Sequence, residues 1–214
     1  MSRAVVKISP NKKGGAMCGR FYIDDETVQE IERIARKIDR KKAKTGEVYP
    51  SEPALILRAD HDSMAAEVLK WGYESARKNT LIFNARSETV REKPMFRYDY
   101  EAHRCLIPVC KFYEWKRTGE KKKEKYEFFA PGEVLYLAGI YHKEPEDDRF
   151  TILTREADGC MTGIHHRMPL ILHKEEREKW LFSKAEAEKL LDTHFTELQR
   201  RKSEPDGYRQ MSLF

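Results

Sequence analysis

The chain has 214 residues, 40% hydrophobic and 36% charged, with a formal net charge of +5. That length fits one domain with enough Ile, Leu, Val, Phe, Tyr and Trp for a sizeable core, and no stretch approaches the roughly 20 apolar residues of a membrane span. The four cysteines, Cys18, Cys105, Cys110 and Cys160, have no CxxC spacing, which argues against a structural zinc site, and nothing in them indicates an oxidising compartment.

In chain order, residues 1–16 (MSRAVVKISPNKKGGA) are basic and lack acids, helix caps and apolar periodicity. They read as a non-native or disordered extension. Lys13-Gly14-Gly15-Ala16-Met17 is what a purine-rich ribosome-binding site would encode if translated, so the true start is expected at Met17. A real basic arm or a removable propeptide is the alternative. A domain is then expected over residues 17–200.

Asp24 or Asp25 can cap a helix in which Val28, Ile31, Ile34, Ala35 and Ile38 recur at helical spacing. Residues 46–53 read as a loop. Strand-like runs follow at 54–59, 65–71, 81–84, 105–115, 126–129, 134–141, 150–154 and 168–172. Cys105 and Cys110 lie in or beside one of these runs and read as buried thiols. Residues 175–182 are helical, and Ser183 with Glu186 forms a capping box that opens a second helix through Leu191. Residues 201–214, with Pro205, Asp206 and Gly207, read as a loosely held tail. The pattern is a single α+β domain, with a strongly bent antiparallel sheet or barrel as core and peripheral helices.

If Met17 is removed, Cys18 becomes the amino terminus, and one residue then carries both an α-amine and a thiol. An α-amine has a pKa of about 7.7–8.0, against about 10.4 for lysine, so far more of it is uncharged at pH 7. It can form an imine with an aldehyde, and the thiol can close onto the imine carbon to give a thiazolidine. Three further clusters place polar residues beside strand ends: Asn84-Ala85-Arg86-Ser87-Glu88, Phe112-Tyr113-Glu114-Trp115 and His165-His166-Arg167-Met168-Pro169. Each also has a plainer role. Asn84 can end its strand, Glu114 can face outward, His165 can be a surface group, and Arg86 with Glu88 can be a surface pair. Residues 116–125 hold six cations and two anions around Gly119, a pattern that suits a solvated hairpin turn or a phosphate contact.

Taken together, Cys-Gly-Arg-Phe at 18–21, Trp71-Gly72-Tyr73, Asn84 to Thr89, Phe112 to Lys116 and His165 to Pro169 resemble the SRAP family, the SOS response-associated peptidases, which includes abasic-site shielding proteins. His166 stands where the family often has Asp, and the segment beyond Phe195 is short. The resemblance implies that the mature N-terminal cysteine cross-links to a ring-opened abasic site in single-stranded DNA. By the same resemblance Cys18 is the nucleophile, and Glu114 moves protons, its pKa raised by an aromatic pocket of Phe112, Tyr113 and Trp115. His165 aids ring opening and Asn84 holds Cys18 in place. Arg20, Arg86 and Arg167 would contact phosphates, and Trp71 would stack on a base or else be a core aromatic. The chain is expected to be a soluble cytoplasmic monomer, associated with the nucleoid on damaged DNA, with no cofactor or metal. The resemblance also implies self-processing, by autocleavage or by an aminopeptidase. Rival assignments are a cysteine peptidase built on Cys18, His165 and Asn84, a non-covalent single-strand-binding module using residues 116–125, and a metal site from His165, His166 and His173.

Overall fold

A computed structural model describes residues 18–36, 38, 43–75, 80–119, 122–143 and 147–203. The expected N-terminal extension and most of the expected tail lie outside these residues. β1 (Phe21–Ile23) runs directly into α1 (Asp25–Ile34). Asp24 caps that helix by accepting the Thr27 N–H at 2.8 Å and the Thr27 hydroxyl at 2.6 Å. The helix buries Thr27, Val28 and Ile31 and stops at Ile34, because Ala35 turns to an extended conformation. Ile38 therefore packs on the core from beyond the helix, where its spacing predicted it within.

The core is a ring of strands. β3 (Pro53–Asp60) and β4 (Ser63–Trp71) form a hairpin, and β3 also pairs with β8 (Arg104–Val109). β8 pairs with β11 (Leu135–His142), which pairs with β12 (Arg149–Glu156). β12 returns to β4, in parallel, through Arg149 opposite Lys70 and Phe150 opposite Trp71. The sequence reading of a bent sheet or barrel is thus met by five strands closing on themselves, one of their pairings parallel. Closure removes exposed edges and lets both faces of a strand be covered. That is why β8 is buried along its whole length and β11 along nearly all of it.

A second, antiparallel sheet packs beside the ring in the order β15, β10, β9, β1, β2. It comprises β2 (Gly46–Val48), β9 (Lys111–Arg117), β10 (Lys123–Phe129) and β15 (Gln199–Lys202) around β1. β2 lies within the predicted loop, and β15 carries the fold through Lys202, past the expected boundary at 200. The run 105–115 is two strands rather than one. It breaks at Cys110, where the chain leaves the ring for the second sheet, and the Cys110 N–H bonds to the Tyr22 carbonyl at 3.0 Å. Cys105 is fully buried, whereas Cys110 is only half-buried.

Short strands decorate the ring: β5 (Tyr73–Glu74) with β6 (Leu81–Ile82), β7 (Asn84–Arg86) parallel to β12, β13 (Arg167–Pro169) on β12 and β14 (Ile171–Leu172) on β11. α2 (Pro94–Ala102) is not among the predicted elements. Pro94 at its first position and buried Phe96 and Tyr100 four residues apart are the signals it offered. α3 (Arg177–Phe182) and α4 (Lys184–Leu190) meet at Ser183, which caps α4 by accepting the Glu186 N–H at 3.3 Å, as predicted. Among the described residues, no helix is long and apolar enough to cross a membrane.

Candidate active site

Strand alternation on β9 decides where Glu114 points. Phe112 and Glu114 share the inward face, with Phe112 stacked on Phe128 at 5.1 Å between ring centroids. Glu114 is 2% exposed. Its Oε1 accepts the backbone N–H of Cys18 and its Oε2 accepts that of Trp115 at 3.2 Å. Burial away from water pushes its pKa up to about 7, against the pull of those two hydrogen bonds.

The shift matches expectation, but its source differs. Tyr113 and Trp115 lie on the opposite face of the sheet. There the Arg20 guanidinium sits over the Trp115 ring at 4.9 Å and the Tyr49 ring at 4.6 Å, and pairs with Glu47 at 3.3 Å. Lys125 sits 4.3 Å over Tyr113 on the same face. Of the three expected pocket aromatics, only Phe112 shares the inward face with Glu114.

Cys18 is fully buried and has a positive φ of 34°. Burial first, and then the nearby Glu114 charge, push its thiol well above the ordinary range. The thiol is therefore held protonated, and the backbone nitrogen of the same residue is the atom in contact with a carboxylate. Asn84 is half-buried at the start of β7, opposite Ile152. Its neighbour Phe83 approaches the Cys18 segment, since a Cβ built on Gly19 would lie 4.0 Å from the Phe83 ring.

His165 follows the turn 159–161 and is half-buried. Its Nδ1 accepts the Arg167 N–H at 3.2 Å, and its ring lies 4.4 Å from that of His166. Burial, and then His166, lower its pKa from 6.5, so it is neutral at pH 7. Among the described residues no hydrogen bond joins His165 to Cys18 or Glu114. The trio His165, His166 and His173 does not assemble, because His173 is stacked on Phe195 at 4.7 Å.

The remaining residues divide sharply. The Arg86 side chain is exposed and, among the described residues, makes no hydrogen bond or ion pair. Arg167 is the reverse: its guanidinium forks onto both oxygens of Glu88, at 2.7 Å for Nη2, and Nη2 also donates to the Thr154 carbonyl at 2.5 Å. Glu88 is thus hydrogen-bonded to Arg167, while Arg86 acts on it through charge alone. Trp71 is fully buried; its indole N–H bonds to the Phe83 carbonyl at 2.8 Å and its ring packs on Phe21 and Phe150. Of the two roles weighed for it, the core aromatic is the one it occupies, since a fully covered ring has no face for a base.

The family model described as SOS response associated peptidase (SRAP) matches residues 17–205. The chain is 34% identical over 181 residues to abasic site processing protein YoqW of Bacillus subtilis, covering 77% of this chain and 80% of that one. It is 29% identical over 177 residues to abasic site processing protein YedK of Escherichia coli, covering 77% and 79%. A crystal structure of a protein from Bacteroides thetaiotaomicron superposes with a TM-score of 0.74 at 27% identity, covering 88% of this chain and 93% of that one. A family match across nearly the whole domain and a relative 34% identical over 181 residues lead to one conclusion: this chain belongs to the SRAP family.

Proposed function

We propose that the chain, once Met17 is gone, captures abasic sites in single-stranded DNA as a thiazolidine on Cys18. The observation that carries this is the hydrogen bond from the Cys18 backbone nitrogen to Glu114. That nitrogen becomes the α-amine when Met17 leaves. While Met17 is in place burial holds that carboxyl up at about 7; once the α-ammonium faces it the pKa falls, and the carboxylate is the base within hydrogen-bond reach of the amine's proton.

The steps balance as follows. A proton leaves the hemiacetal hydroxyl and one is delivered to the ring oxygen, opening the sugar to its aldehyde. Neutral His165, set by its Arg167 hydrogen bond, is the group proposed to move it. Glu114 takes a proton from the α-ammonium, the free amine adds to the aldehyde carbon, and the carbinolamine hydroxyl leaves as water with a proton from Glu114. The thiol then adds to the carbon of the resulting protonated imine: an S–C bond forms, the nitrogen keeps its proton as the ring N–H, and the thiol proton passes to the Glu114 carboxylate. A thiol kept protonated by burial favours this amine-first order. It disfavours a cysteine peptidase, whose nucleophile is a thiolate activated beside an imidazole.

Asn84 is proposed to orient Cys18 from the neighbouring β7. Exposed Arg86 is the cation best placed for a phosphate, and Arg20, held between rings, supports the strand. Arg167 adds its charge from behind Glu88. Release of Met17, by this site or by an aminopeptidase, is part of the proposal.

The test uses protein beginning at Cys18 and single-stranded DNA bearing one abasic site. A product that survives denaturing electrophoresis is expected, absent with Cys18→Ala and slowed with Glu114→Gln. Undiminished product from Cys18→Ala would defeat the proposal, and binding fully reversed by salt would favour a non-covalent module.

A further inference from the structure

β7, which begins at Asn84, and β13, which begins two residues after His165, lie on opposite edges of β12. β7 pairs with Ile152, Leu153 and Thr154, while β13 pairs with Thr154, Arg155 and Glu156. Each is a three-residue strand, so neither ladder alone fixes its partner rigidly. One side-chain network spans both edges. Glu88, two residues after β7, forks onto Arg167, the first residue of β13. Arg167 also donates to the Thr154 carbonyl, and the buried Thr154 hydroxyl donates to the Ala85 carbonyl at 3.1 Å. The Arg167 backbone N–H in turn holds Nδ1 of His165. A bidentate guanidinium–carboxylate pair fixes angle as well as distance.

We propose that Glu88 is a positioning residue, whose carboxylate, through Arg167, fixes the His165 imidazole relative to the Asn84 strand. This rests on the reading of His165 as the group that opens the sugar. Glu88 itself touches neither DNA nor the reacting atoms. Its removal misplaces a proton-transfer group without removing it. Small misplacements of that kind are costly, so Glu88→Gln is expected to slow cross-linking roughly tenfold to a hundredfold.

The experiment compares Glu88→Gln, Glu88→Asp, His165→Ala and the Glu88→Gln/His165→Ala double variant, all in protein beginning at Cys18. Cross-linking rates are measured at saturating abasic DNA, and DNA affinity separately. Glu88→Gln is expected to lower the rate while affinity stays within about twofold, since a uniform binding effect would appear in affinity alone. Glu88→Asp should recover part of the rate. The double variant should be no slower than His165→Ala, because Glu88 acts through that ring. The His165 ring resonances in NMR should shift and broaden in Glu88→Gln.

A wild-type rate in Glu88→Gln overturns the proposal. So does a double variant in which the two losses multiply, or tighter DNA binding with a faster rate, which would make Glu88 a competitor for Arg167. If the unsubstituted protein forms no cross-link, the proposed function has failed, and the NMR comparison alone decides the positioning role. If Glu88→Gln does not fold, Arg167→Lys replaces it, keeping the charge but losing the fork.

Discussion

The pH dependence of stability isolates what burial does to Glu114. In the 214-residue chain the Cys18 nitrogen is an amide, so no formal charge adjoins the carboxyl. Its pKa rises from 4.5 to about 7 because ionising it there forfeits hydration. Between those pH values the folded protein holds a proton that the unfolded chain has released. Stability therefore falls as pH rises through that window, by about 3 kcal/mol once pH exceeds the folded pKa. A glutamine keeps the carbonyl acceptor for Cys18 and cannot ionise. Urea unfolding of the 214-residue chain and its Glu114→Gln variant, at intervals from pH 4.5 to 8, reads the difference directly. The variant should gain about 3 kcal/mol on the parent across that range. In protein beginning at Cys18 the α-ammonium faces the same carboxylate and holds its pKa down, so the gain should shrink sharply. A parent and variant whose stability difference is flat with pH would refute the reasoning, because the carboxyl would then already be ionised at pH 4.5.

Two packing predictions accompany this one. Trp71→Ala empties a fully buried site between Phe21 and Phe150 and should cost about 3–5 kcal/mol in urea unfolding; a loss under about 1 kcal/mol would mean the indole is not the core element described here. Gly139→Ala should cost about 1–3 kcal/mol, because the added Cβ would lie 2.5 Å from Ile107 Cδ1 and 2.9 Å from the Thr151 carbonyl oxygen, and the latter cannot swing away. An unchanged midpoint for Gly139→Ala would show that β11 and β12 are not packed this closely.

Short-range features were legible in the amino-acid sequence itself. The Asp24 and Ser183 caps, the strands of the ring and the motif residues Cys18, Asn84, Glu114 and His165 all announce themselves within a few positions, because capping and alternation are set by neighbours along the chain. Sequence could not locate the break at Cys110, since both new strands are buried and their apolar run is continuous. Nor could it tell that β12 would close the ring in parallel. The partner of each charge was equally hidden. Arg167 meets Glu88 across 79 positions and Cys18 meets Glu114 across 96, so those contacts exist only once the ring has closed. Trp71 shows the same division: its motif was readable, but whether the indole faced DNA or the core was decided by where Phe21 and Phe150 came to rest. Local chemistry selected the residues, and long-range packing assigned their roles, because burial and charge pairing depend on which distant segments share a volume.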